Sequence, residues 1–243
     1  MLLRWGPWLV ALVAVALAAA TLWRPDSVAQ RLGLGAAVVQ RQHDAWRQQL
    51  RAHYRRLDAN TPAGATIFLG ASTVQGLNAA QVRACHANFG IGGETARELV
   101  ARLDDYGSLD RAAAVVVMTG LNDVLRRDDA DLADHYRRLL ARLPADPPVI
   151  LSSLPRLSPA TERGRSFAPA VVRANEQARA ACGSRHNCRF VDLHGAMSPL
   201  VTLTERDGIH LDAAGYALWS RLLRDALAAT GVGERPCRET GGS

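Results

Sequence analysis

Val115-Val116-Val117-Met118 is apolar at every position. A strand built from it must be covered on both faces, as in the interior of a parallel sheet. This run belongs to a longer candidate strand, Ala114–Thr119, and four more short runs share its β-like character: Thr66–Leu69, Ala87–Ile91, Val149–Ser152 and Arg189–Leu193. Helical patterns lie between and after them, over Glu94–Leu103, Asp131–Leu143, about Phe167–Ala181 and Asp212–Ala229. The last has Asp212 as an N-cap and Gly231 as a stop. Alternating β and α elements of this length predict an α/β fold, a doubly wound parallel sheet with helices on both faces. Leu154–Arg165 is expected to be the longest polar loop. There are no internal repeats.

In such a sheet ligands bind beyond the carboxyl ends of the strands, where the strand order reverses. With flavodoxin-like order 2-1-3-4-5 that point lies between the first and third strands. Ser72 follows the first strand, Gly90-Ile91-Gly92-Gly93-Glu94-Thr95 the second, and Gly120-Leu121-Asn122-Asp123 the third. Far downstream, Asp207 precedes His210 by three residues, so one turn can set its carboxylate against the imidazole. Each feature alone has a duller explanation: a serine after a strand caps a helix, and glycines serve a turn. Asn-Asp also serves a turn, and Asp-x-x-His pairs arise by chance. Their agreement at one end of the sheet supports a nucleophile, Ser72, with His210 as base and Asp207 as its orienting carboxylate. The Ser72 and Gly93 N–H groups and the Asn122 side chain would then form an oxyanion hole. His194 also follows a strand, but no acid or nucleophile accompanies it, and it reads as structural. His43, His53, His86, His135 and His186 show no metal-ligand spacing, so no metal site is expected.

At these blocks the chain resembles the SGNH, or GDSL-type, hydrolase superfamily. Phe68-Leu69-Gly70-Ala71-Ser72 is similar to its first block and Asn88 to Thr95 to its second. Gly120-x-Asn122-Asp123 is similar to the third, and Asp207-Gly208-Ile209-His210-Leu211 through Gly215-Tyr216 to the fifth. The resemblance implies a three-layer flavodoxin-like fold and ester hydrolysis without a cofactor. It assigns Ser72 as nucleophile, Gly93 and Asn122 as oxyanion donors, His210 as base and Asp207 as its partner. One position departs: the family's aspartate before the serine is Ala71 here, which removes a hydrogen-bond partner from the elbow. The α/β-hydrolase elbow fits less well, because its second glycine would fall at Val74.

The remaining features bear on place and partners. Trp5 to Trp23 is a 19-residue stretch without a charge, flanked by Arg4 and Arg24. It is long enough to span a bilayer and carries tryptophans near both ends; Ala18-Ala19-Ala20 is an alternative cleavage site. Either way, residues 1–24 are expected to export the rest, with 25–62 a helical linker, 63–232 the hydrolase domain and 233–243 an irregular tail. Cys182 and Cys188 suit a small disulfide loop, leaving Cys85 and Cys237 to pair, although four cysteines allow three pairings. Free buried thiols are the competing reading. All 29 basic residues are arginine, against 23 acids. The absence of lysine excludes Schiff-base and P-loop lysine chemistry. The arginines are interspersed with acids, which argues against a nucleic-acid partner. Arg41, Arg47, Arg51, Arg55 and Arg56 cluster on an expected helix from about Ser27 to Leu57, as a solvated face or an anionic-envelope contact. The expected function is an envelope esterase acting on a small-molecule, lipid or envelope-glycan ester. An envelope acyltransferase and a weakly catalytic binding module are the alternatives.

Overall fold

The computed structural model describes residues 13–17, 19, 34–198, 203–232 and 237. Among these no helix is long and apolar enough to cross a membrane. Most of the Trp5–Trp23 stretch, and the 27–33 part of the expected linker helix, lie outside the described residues. The chain forms two compact units, Met1–Arg51 and Ala52–Ser243. The second holds the sheet. The last turns of helix α1 (Leu34–Ala59) belong to it from Ala52 onward, so part of the expected linker packs with the domain.

Five parallel strands run in the order β2-β1-β3-β4-β5. They are β1 (Thr66–Gly70), β2 (His86–Asn88), β3 (Ala114–Met118), β4 (Val149–Ser152) and β5 (Cys188–Val191). The all-apolar Val115–Met118 run lies inside β3, every residue of which is buried, as is every residue of β1 and β4. Between β1 and β3 the register pairs Thr66 with Ala114 and Gly70 with Met118. The residues after these two strands therefore emerge level with each other at the reversal point.

The helices are α2 (Ser72–Gln75), α3 (Ala96–Ala101), α4 (Leu121–Leu125), α5 (Leu132–Arg142), α6 (Glu162–Gly183), α7 (Leu193–Ala196) and α8 (Ala213–Ala228). Helix α5 packs on α3 and α6, while α8 packs on β4, β5 and α7. Several boundaries differ from the sequence expectation. Strand β2 ends at Asn88 rather than Ile91, although the Phe89 and Ile91 N–H groups still donate to the Phe68 and Gly70 carbonyls of β1 at 2.9 Å. Strand β5 stops before Asp192, whose carboxylate caps α7 by accepting from Gly195 N–H. Helix α6 starts at Glu162, not Phe167, because the Thr161 hydroxyl accepts from Gly164 N–H and caps it. Pro169 then sits inside the helix, and the expected Leu154–Arg165 loop is shortened at its far end. Both disulfides are formed, Cys182–Cys188 and Cys85–Cys237.

Candidate active site

Ser72 is the first residue of α2, directly beyond β1. The preceding turn requires Gly70: its φ is +152°, and a Cβ there would collide with the Met118 carbonyl of the neighbouring strand. Ala71 occupies the N-cap and offers no side-chain hydrogen bond to the helix. Tyr216, on α8, braces the same turn by donating its hydroxyl proton to the Thr73 carbonyl at 3.0 Å.

His210 approaches from a loop 138 residues away in sequence, with Nε2 2.9 Å from Ser72 Oγ. Its Nδ1 lies 2.5 Å from Asp207 Oδ2. The other carboxylate oxygen, Oδ1, accepts the backbone N–H groups of Ile209 at 2.9 Å and His210 at 3.0 Å. Partial burial pushes the Asp207 carboxyl up. The His210 ring and the two N–H donors outweigh it and hold Asp207 below its ordinary value. The three side chains predicted from sequence thus form one hydrogen-bonded row.

The predicted oxyanion donors Gly93 and Asn122 lie on the loops after β2 and β3, which meet where Asn122 reaches the Glu94 carbonyl. Gly93 has φ +75°, a left-handed turn that a side chain would strain. Among the described residues no backbone carbonyl accepts the Ser72 or Gly93 N–H. Asn122, in α4, donates from Nδ2 to the Glu94 carbonyl at 2.9 Å. An amide nitrogen carries two protons, so the second remains for a ligand.

Sequence reasoning did not reach the framework beneath. Arg102 is fully buried and grips Glu94 twice, Nε to Oε1 at 2.6 Å and Nη2 to Oε2 at 2.7 Å. The same guanidinium donates to the Phe89 carbonyl at 2.8 Å and to the Tyr106 hydroxyl. Burial pulls the Arg102 pKa down, but Glu94 and Tyr106 outweigh it and raise it. The ring of Tyr106 stacks on Phe89 with centroids 4.5 Å apart, and burial pushes its hydroxyl up to about 12. Tyr54, on α1, holds the same loop through the Gly90 carbonyl at 2.8 Å. Asp123, next to Asn122, is buried and accepts Ala96 N–H at the start of α3. Burial raises its pKa. None of these has a sequence signal beyond a charged residue near a motif. One local signal was present: Thr95-x-x-Glu98 forms a reciprocal capping box on α3.

A serine, a histidine and a carboxylate in one row at the carboxyl end of a 2-1-3-4-5 sheet define the SGNH class of esterases and acylhydrolases. The chain belongs to the GDSL-like lipase/acylhydrolase family, whose model matches residues 72–218, more than half its length. No curated protein sequence matches it. Solved structures resemble it in fold. A Streptococcus pneumonia protein provisionally described as a platelet activating factor superposes with TM-score 0.71 at 18% identity, over 80% of this chain and 99% of the other. The lipase/acylhydrolase from Enterococcus faecalis gives TM-score 0.59 at 21% identity, covering 71% and 100%. Axe2, an acetylxylan esterase from Geobacillus stearothermophilus, gives 0.53 at 21% identity, covering 73% and 100%.

Proposed function

We propose that the chain is a serine esterase of the cell envelope, with Ser72 as nucleophile, His210 as general base and Asp207 as its orienting partner. The observation that carries this reading is the placement of His210 between Asp207 Oδ2 at 2.5 Å and Ser72 Oγ at 2.9 Å. With Nδ1–H held by the carboxylate, Nε2 presents its lone pair to the serine hydroxyl. Ser72 Oγ attacks the acyl carbon while its proton passes to Nε2. The carbonyl oxygen takes up the displaced electron pair and is met by the Ser72 N–H, the Gly93 N–H and the second Asn122 amide proton. His210 then protonates the leaving alcohol. A water deprotonated by the same nitrogen attacks the acyl-enzyme and releases the acid.

Two features support an exported location. Trp5 to Trp23 is uncharged and long enough to anchor or direct the chain, and the domain carries two disulfides, which persist in oxidising compartments. That location favours a lipid or envelope-glycan ester. The likeness to an acetylxylan esterase accords with a glycan ester. The test is fluorophosphonate labelling of the full-length protein, with the adduct mapped by mass spectrometry. A single adduct on Ser72, lost in His210→Ala, is expected. A folded protein that takes no label would sink the assignment.

A further inference from the structure

The loop after β4 and the first half of α6 enclose a cavity of about 470 Å³, within the usual range for small-molecule sites. None of Ser72, Gly93, Asn122, Asp207 or His210 lines it. Ala168, Pro169 and Val172 give it an accessible apolar face, underlain by the buried Leu157 and Val171. Arg156, Arg165 and His194 are its polar lining, and no carboxylate lines it.

The two guanidinium groups are oriented, and no described carboxylate pairs with either. Arg156 donates from Nε to the Met197 carbonyl at 3.1 Å and from Nη2 to the His194 carbonyl at 3.4 Å. Arg165 donates from Nη1 to the Pro159 carbonyl at 2.7 Å. Carbonyl dipoles fix such groups in place and leave their charge for a ligand. The Nδ1 of His194 is buried with no hydrogen-bond partner among the described residues. Burial, then the neighbouring Arg156, hold this imidazole below its ordinary value against the opposing influence of Asp192 and the Pro155 carbonyl.

We propose that this cavity binds a linear monocarboxylate. Its head is taken by Arg156 and Arg165, and its alkyl body lies on Ala168, Pro169 and Val172. A carboxylate matches the planar guanidinium fork. It is also the group that an acylhydrolase releases. The cavity wall adjoins the loop that carries Asp207 and His210: Ser158 N–H donates to the Gly208 carbonyl at 2.9 Å. The inference concerns binding alone and stands apart from the role of Ser72.

Calorimetric titration of hexanoate into the full-length protein, held in zwitterionic-lipid nanodiscs, tests it. Saturable binding is expected, weakened at least tenfold by Arg165→Glu and abolished by Ala168→Trp, which fills the cavity from α6. Asn122→Ala should leave it unchanged, and hexanol and hexylammonium should bind at least tenfold more weakly. Circular dichroism verifies that each variant is folded. Binding that is absent or unsaturable overturns the site. Sensitivity to Asn122→Ala but not to Arg165→Glu would move the acid to the oxyanion donors and overturn it equally. A tenfold preference for hexyl phosphate would replace the carboxylate with a phosphate head.

Discussion

At the residue scale the chemistry depends on a few tenths of an ångström and on which proton sits where. Asn122 spends one amide proton on the Glu94 carbonyl, and the proposed mechanism uses the other at the oxyanion. Asn122→Ala should lower kcat by about 10²- to 10³-fold with little change in KM. Steady-state kinetics on a chromogenic short-chain ester provides the measurement, and unchanged turnover would remove Asn122 from the site. Asp207→Asn should lower kcat by about 10⁴-fold, because an amide at that position stabilises the wrong imidazole tautomer. The same substitution carries a stability signature with a defined sign. Folding depresses the Asp207 pKa, so its ionised form stabilises the native state above the ordinary carboxylate range. That contribution is lost as pH falls through the depressed value. The Tm difference between wild type and Asp207→Asn should therefore shrink on acidification, whereas a constant difference would assign the loss to packing. Asp207 and His210 were legible because both partners lie within one turn of chain. Glu94 and Arg102 were not: a charged residue on a helical pattern reads as solvent-exposed, and only the packed loop shows Arg102 buried.

At the element scale the loop after β2 is the piece most in need of support. It carries Gly93 and the Glu94 carbonyl, yet its strand contributes only His86–Asn88 to the sheet. The buried Glu94–Arg102 pair makes up for that short strand, tying the loop to α3 and to the Phe89 carbonyl. A buried pair contributes little net stability when intact, but breaking it leaves one charge uncompensated. Arg102→Met should cost about 3–5 kcal/mol in urea unfolding, and adding Glu94→Leu should restore part of that loss. A double variant no more stable than the single one would mean that Glu94 tolerates burial alone. Strand positions were readable here because β1, β3 and β4 are short, apolar and fully covered. Helix α6 starts five residues before the expected Phe167, because the Thr161 hydroxyl caps it at Glu162 and the helix runs through Pro169.

At the scale of the whole molecule, two covalent links close loops of very different size. Cys182–Cys188 spans 6 residues and Cys85–Cys237 spans 152. Loop-closure entropy predicts about 2 kcal/mol for the small loop and about 5 kcal/mol for the large one. Cys85→Ser with Cys237→Ser should therefore lower the chemical-denaturation midpoint more than Cys182→Ser with Cys188→Ser. The reverse order would place the stabilising effect in local geometry. Either double variant should keep the Ser72–His210 contact, since neither bond touches that end of the sheet.

Local patterns in the chain sufficed for the number and sequence of the strands and the class of the sheet. Each depends on period, turn chemistry or a contact within a few residues, and such information survives in a linear string. Tertiary structure alone brought His210 onto Ser72 across 138 residues and selected one of three cysteine pairings. It also buried Arg102 against Glu94 and opened the cavity beside α6. Those outcomes follow from strand register and from which surfaces lose water together. They are properties of pairs of segments, and no single segment carries them.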